Sequence, residues 1–208
     1  MAKAKNAKYL LTSTSEVYGN PEISPQPESY WGRVNPNGVR SMYDEAKRFA
    51  EAAVSSYNRI YNVDSRIVRL FNTYGPKMKI NDGRVVTNFI SQALNGQDIT
   101  IYGKGNQTRS FCYVSDTVSG IIKAMTSESS EVFNIGNPNE ITILQLAQLI
   151  IELTESKSGI KYMELPEDDP IQRNPDISKA INILDWKPEI SLEDGLKKTI
   201  NWTKANLN

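Results

Sequence analysis

The sequence contains no histidine among its 208 residues and a single cysteine, Cys112. Without imidazole there is no Ser-His-Asp or Cys-His nucleophile, no histidine general base and no His-ligated zinc or haem. Proton chemistry therefore falls to Tyr, Lys, Arg, Asp or Glu, and no metal site is expected. A lone cysteine forms neither an intramolecular disulfide nor a thiolate cluster, so a reduced, cytoplasmic setting fits best. An excess of one charge is also missing, since 24 Lys and Arg balance 24 Asp and Glu. With no Lys/Arg-rich block, nucleic acid is not an expected partner. No apolar run reaches membrane length, and Met1 to Lys8 carries basic residues with no apolar signal core behind them, so no membrane association is expected.

What remains is a chain that is 39% hydrophobic and long enough for one large domain or two small ones. Short β-type runs alternate with helical stretches, which predicts an α/β fold with a largely parallel sheet. Strands are expected at 9–13, 65–71, 99–102, 111–114 and 132–135, with an edge strand at 160–165. Helices are expected at 41–61, 84–95, 115–125, 176–184 and 191–204, and another after Thr142 with Gln145, Gln148 and Glu152 on one polar stripe. Ser41 with Asp44, and Thr142 with Gln145, have the spacing of capping boxes. Pro21 to Pro36 holds four of the ten prolines and reads as an irregular loop, long enough to be functional. The acidic, Pro-containing stretch 167–175 reads as a second loop.

The constellation richest in chemistry is Tyr43-Asp-Glu-Ala-Lys47. A spacing of four places both side chains on one helix face, one turn apart. A neighbouring cation favours a phenolate over a phenol, so such a pair can deprotonate a hydroxyl without histidine. Taken alone, the spacing also suits a solvated helix face. Thr12-Ser-Thr-Ser-Glu-Val-Tyr-Gly19 follows a predicted strand, at the carboxyl end where ligands bind in open α/β sheets, although a hydroxyl-rich turn or helix cap reads the same way. Gly103-x-Gly105 lacks the third glycine of a phosphate loop and is read as a turn.

Together with Asn72-Thr-Tyr-Gly-Pro76, Asn81-Asp-Gly-Arg84, Tyr102-Gly-Lys-Gly-Asn-Gln-Thr-Arg109 and Asp168-Asp-Pro170 through Arg173-x-Pro-Asp-Ile177, these motifs resemble the extended short-chain dehydrogenase/reductase family, the NAD-dependent epimerases and dehydratases. Within it they resemble the UDP-glucuronate decarboxylase branch, over a span from near Met1 to about Trp202. The resemblance implies a partial Rossmann-like, doubly wound parallel sheet over 1–75, bearing the Tyr-x-x-x-Lys helix. It implies a nucleotide-sugar region over 76–208, from which a strand near 132–136 returns.

It also implies an internal redox cycle with NAD as cofactor and a UDP-sugar as substrate, converting UDP-glucuronate to UDP-xylose through a 4-keto acid. Tyr43, Lys47, Thr14, Ser15, Glu16 and Arg173 would be catalytic. Thr12, Tyr43, Lys47, Thr73 and Arg84 would approach the cofactor, and Tyr57, Asn72, Asn88, Tyr102 and Arg109 the substrate, with Arg109 suited to the diphosphate. A homodimer through the 41–61 helix would follow, because Ala46, Ala50, Ala52 and Ala53 permit close packing; inside one domain the same alanines could serve an intramolecular contact. One family feature is absent, the Gly-rich turn that holds the NAD pyrophosphate, which leads us to expect weak NAD binding by these 208 residues alone. A 4-epimerase or 4,6-dehydratase, or a non-catalytic UDP-sugar module, are the other readings. A dehydratase wants an Asp-Glu pair where this chain has Ser15-Glu16.

Overall fold

The computed structural model describes residues 1–80, 82–165 and 172–207. Asn81 and the Asp168-Asp-Pro170 motif lie outside the described residues. A short helix α1 (Ala2–Lys5) leads into β1 (Tyr9–Thr14), a one-turn 3-10 segment (Ser15–Tyr18), α2 (Ser41–Tyr61), β2 (Ser65–Leu70) and β3 (Thr73–Tyr74). There follow α3 (Val85–Leu94), β4 (Ile99–Tyr102), β5 (Thr108–Ser110), β6 (Cys112–Tyr113), α4 (Val114–Thr126) and β7 (Val132–Ile135). The chain continues with β8 (Glu140–Thr142), α5 (Ile143–Thr154), β9 (Ile160–Met163), β10 (Gln172–Arg173), α6 (Ser178–Leu184) and α7 (Leu192–Asn206).

The α/β expectation holds. β1, β2 and β7 form a parallel sheet in that order, with Ser13 beside Arg69 and Arg69 beside Asn134. β2 is central and buried along its first four residues, among them the adjacent β-branched Ile67 and Val68. β7, from the later part of the chain, pairs with β2 and closes this sheet on one side. On the other side β1 pairs with β2 alone among the described residues, and its Tyr9 and Thr12 are exposed.

One face of this sheet is apolar: Val68, Phe133 and Ile135 pack with Ala124 of α4 and with Ala180, Leu184 and Trp186 of the α6 region. A second core unites α3, α5 and α7 around β4, through Phe89, Ile90, Ile99, Leu146, Ile150, Leu196 and Ile200. Each of those helices carries its apolar residues at helical spacing on one face. The Thr142–Gln145 capping box forms as expected: Gln145 N donates to Thr142 Oγ1 (3.1 Å) and Thr142 N donates to Gln145 Oε1 (3.0 Å).

Two expectations are corrected. Ser41 does not cap α2: Arg40 occupies the cap position without a side-chain cap bond, and Asp44 is buried with its Oδ1 lacking a hydrogen-bond partner. Gln172 and Arg173 form strand rather than loop, pairing in parallel with Thr108 and Arg109, while β5 pairs antiparallel with β8. These strands of two or three residues show no alternation long enough to read. Of the alanines of α2, Ala46 and Ala52 are exposed while Ala50 and Ala53 are partly buried, and the fully buried residues of this helix are Asp44 and Glu51.

Candidate active site

The C-terminal end of β1 turns at once into the 3-10 segment, with Thr14 Oγ1 accepting from Glu16 N at 3.3 Å. This turn ends at Gly19, whose φ of +62° favours glycine; a Cβ there would lie 1.9 Å from the Arg33 carbonyl oxygen. The Gly19–Arg33 bridge brings the 21–36 loop back beside the turn. The result places Ser15 and Glu16 at the mouth of the sheet, over the first turn of α2.

Arg173 reaches them from β10. It is 2% exposed, and its guanidinium donates to Ser15 Oγ (3.0 Å) and to Glu16 Oε2 (2.9 Å). Arg40, just before α2, donates to the same Glu16 oxygen at 2.8 Å. Burial pushes the Glu16 carboxyl up, but the Arg173 and Arg40 guanidiniums outweigh it and hold the group below the ordinary carboxylate value. Asp44 behaves in the opposite sense: burial and the neighbouring Glu16 charge raise its carboxyl despite Arg40 and Arg173.

Tyr43 and Lys47 lie beside this cluster. Tyr43 is 49% exposed, and the Lys47 ammonium sits 5.9 Å from its ring centroid while donating to the Thr12 carbonyl at 2.9 Å. The structure thus gathers Thr12, Thr14, Ser15, Glu16, Tyr43, Lys47 and Arg173 at one end of the sheet. Arg109 joins them through the ladder, where it is the register partner of Arg173, and it donates to the Thr108 carbonyl at 2.9 Å. Asn72 donates to the Ser110 carbonyl (3.3 Å) on the flank of the same strand. Thr73 is tied to Thr117 at 3.0 Å.

Arg84 stands at the start of α3, largely exposed, with its Nε 3.6 Å from Asp82 Oδ2; Asn88 follows one turn later. Tyr102 ends β4, half-exposed, and its carbonyl accepts from Gln107. Tyr57 is not brought to the cluster. It lies fourteen residues beyond Tyr43 on α2, about 21 Å along the axis, packed against Tyr61 at 5.3 Å between ring centroids. A separate groove of about 700 Å3, bounded by Asn137–Ile141, Ile177, Ile181 and Lys187–Leu192, contains none of these residues.

Sequence reasoning missed the support beneath the site. Ser13 donates to Glu51 Oε1 (2.5 Å), Arg69 pairs with Glu51 (2.7 Å) and donates to the Tyr18 hydroxyl (2.9 Å), and Tyr18 donates to Asn134 Oδ1 (2.8 Å). Arg48 of α2 donates to the Val17 and Trp31 carbonyls, at 3.0 and 2.7 Å. Burial raises the Tyr18 hydroxyl to about 12, even with Arg69 opposing it. The inner face of α2 is therefore polar and bonded. The outer face carries Met42, Phe49 and Ile60, all exposed.

Residues 1–199 match the family model described as GDP-mannose 4,6 dehydratase. The chain belongs to this family. It is 56% identical over 196 residues to UDP-glucuronic acid decarboxylase 3 of Arabidopsis thaliana, covering 94% of this chain and 57% of that protein. It is 52% identical over 207 residues to UDP-glucuronic acid decarboxylase 1 of Danio rerio, covering 100% of this chain and 50% of that one. The chain thus spans about half the length of the curated relatives it matches. Among solved structures it superposes on UDP-glucose 4-epimerase from Thermotoga maritima, with UDP-glucose, at a TM-score of 0.93 and 30% identity, covering 100% of this chain and 67% of that one. UDP-glucuronic acid 4-epimerase from Bacillus cereus, in complex with UDP-glucuronic acid and NAD, gives 0.86 at 28% identity, covering 96% and 62%.

Proposed function

We propose that the protein acts in the NAD-dependent decarboxylation of UDP-glucuronate to UDP-xylose, with this chain supplying the Tyr-Lys helix and the nucleotide-sugar region. The observation that carries the reading is the Ser15–Glu16–Arg173 cluster standing beside Tyr43 and Lys47 at the carboxyl end of a parallel sheet. The residues fit a nicotinamide cofactor, because Lys47 and Tyr43 share one helix face and the Lys47 ammonium is anchored on the Thr12 carbonyl. NAD supplies a reversible hydride acceptor at this place, and Thr12, Thr73 and Arg84 are the further candidates to hold it.

Tyr43 takes the proton of the sugar 4-hydroxyl, with Lys47 providing the adjacent positive charge. Thr14 accepts from Glu16 N and keeps its own hydroxyl proton to donate towards the reacting oxygen. Once carbon 4 is a ketone, the neighbouring carboxylate is β to it. The C–C bond breaks with its electrons passing into the enolate, and CO2 leaves. Ser15 and Glu16, fixed by Arg173, are the candidates to serve the protonation of carbon 5. Return of the hydride to carbon 4, with the proton on Tyr43 passing back to the oxygen, would then give UDP-xylose. Arg109, Asn72, Asn88 and Tyr102 serve the UDP side.

Two further parts belong to the same reading. The exposed apolar face of α2 is the homodimer surface, and Phe49→Glu is expected to leave a monomer in analytical ultracentrifugation. The location is cytoplasmic, in keeping with one buried free thiol; among the described residues no helix is long and apolar enough to cross a membrane. The central test joins this chain to a family NAD-binding half and follows UDP-glucuronate by mass. CO2 loss that Tyr43→Phe abolishes supports the reading; UDP binding without CO2 loss replaces it with a binding module. A product differing only in configuration at carbon 4 replaces it with an epimerase.

A further inference from the structure

We propose that Gln26 is the positioning residue that fixes Arg173, and through Arg173 the Ser15–Glu16 pair. Its relevance to catalysis rests on the functional reading above. Gln26 is 0% exposed, yet it sits in a loop whose preceding residues Glu22 to Pro25 are all exposed. An amide carried into the interior requires partners, since leaving it unbonded costs about 1–3 kcal/mol. Gln26 finds them chiefly in the three residues that follow Arg173.

Gln26 N donates to the Asn174 carbonyl at 2.8 Å, and Asn174 N donates back to Gln26 Oε1 at 2.8 Å. Asp176 N donates to the Gln26 carbonyl at 3.0 Å, which Asn134 Nδ2 also reaches at 2.9 Å. Gln26 Nε2 turns back to the Ile23 carbonyl at 2.7 Å, so the loop itself is tied in. Main chain and side chain together grip the 174–176 segment in register and hold it to β7.

Side chains also help to locate Arg173, since Ser110 Oγ donates to its carbonyl at 3.2 Å and Glu140 accepts from Gln172 Nε2 (2.9 Å) and Asn174 Nδ2 (3.1 Å), but among the described residues it is Gln26 that holds the main chain of Asn174. The strand of Arg173, β10, is two residues long and pairs with β5 at two positions. A slip of one residue in so short a ladder turns a side chain to the opposite face. Arg173 must nevertheless deliver two nitrogens to two acceptors on the 3-10 turn, at 3.0 and 2.9 Å. With the neighbouring residue held on both its N–H and C=O by Gln26, that slip is blocked. The side-chain bond to Asn174 N is the part that only glutamine, or a residue of its length bearing an acceptor, supplies.

The test is a carbon-13 NMR titration of the Glu16 carboxyl in the 208-residue chain, comparing wild type with Gln26→Met, Arg173→Met and a remote core variant, Leu146→Ala. Arg173 and Arg40 are the charges that hold this carboxyl down. Gln26→Met should move its titration upward, in the same direction as Arg173→Met and by less, while Leu146→Ala leaves it in place although it weakens the fold. A Glu16 titration in Gln26→Met equal to wild type overturns the proposal. If that variant does not fold, amide exchange in the wild type decides: slow exchange at Asn174 and Asp176 supports the clamp, and exchange at the rate of open loops overturns it. Neither readout depends on turnover. Absence of CO2 loss with the Glu16 shift present would therefore sink the decarboxylase reading and leave the clamp standing.

Discussion

On the α2 side of the first sheet, adjacent strands contribute Ser13, Arg69 and Asn134 in one row, whereas the core among α3, α5 and α7 is filled by Phe89, Ile90, Leu146, Ile150 and Leu196. Both regions are buried, and they are held differently. In the second, burial of apolar area supplies the stabilisation and tolerates swaps of similar volume. In the first, a charged pair and a chain of hydrogen bonds link α2, the 3-10 turn and the 174–176 segment, of which the first two carry Tyr43 and Ser15–Glu16 and the third follows Arg173 directly. Such an arrangement gains little net stability over apolar packing, but each member has one place to be. The polar region is thus suited to holding geometry, and the apolar region to holding the chain folded.

The sharpest way to break that comparison is Arg69→Met. It strands Glu51 with Ser13 as its remaining partner and removes a donor from Tyr18, and should cost about 3–5 kcal/mol in urea unfolding. The double variant with Glu51→Met should recover much of that loss, because it replaces both buried charges with apolar volume. A double variant as unstable as the single one would show that the network stabilises the fold as well as orienting it. In the apolar core, Leu146→Ala should cost about 2–5 kcal/mol with no comparable rescue by a second truncation. Its effect should spare the Glu16 titration, since Leu146 belongs to a core that contains none of the cluster residues.

Tyr18 offers a pH probe of the polar side alone. Its hydroxyl is raised in the fold to about 12 from an unfolded value of 10.0. The sign follows from linkage: stability is fully present below pH 10 and is lost as pH rises through the folded value. The full loss approaches about 3 kcal/mol, at 1.36 kcal/mol per unit. Tyr18→Phe should flatten this alkaline limb in unfolding curves measured across that range. A limb unchanged in Tyr18→Phe would assign the alkaline sensitivity elsewhere, Tyr74 being the other deeply buried tyrosine.

Much of this division was legible beforehand, and where it was not the physics is specific. The strands of the first sheet and the long helix with Tyr43 and Lys47 could be read from apolar runs and spacing, while the grouping of Ser15, Glu16 and Arg173 was implied only by the family resemblance. The support beneath them could be read from neither. Glu51 and Arg48 on α2 look like a solvated stripe, because charged residues at helical spacing ordinarily face water, and the exposed Phe49 and Ile60 look like its buried side. The helix is turned the other way round, since Arg69 and Ser13 beneath it supply the partners. Arg40 and Gln26 escaped notice for a related reason: their partners are 24 and 148 residues distant, and no local pattern announces them.

The smallest expected effect concerns a feature legible in both views. Thr142 accepts from Gln145 N, and Gln145 answers by accepting from Thr142 N, so Thr142→Ala removes one of the two capping bonds and weakens the reason for the other. The expected cost is about 1 kcal/mol, typical for loss of a helix N-cap. Because α5 is anchored along its length by Leu146, Ala147 and Ile150, the loss should fray its first turn without moving the core. Amide exchange at Gln145 should therefore quicken while Ile150 stays protected. If Ile150 also loses protection, the cap and the apolar core unfold as one unit, and the apolar region would prove as dependent on individual hydrogen bonds as the polar one.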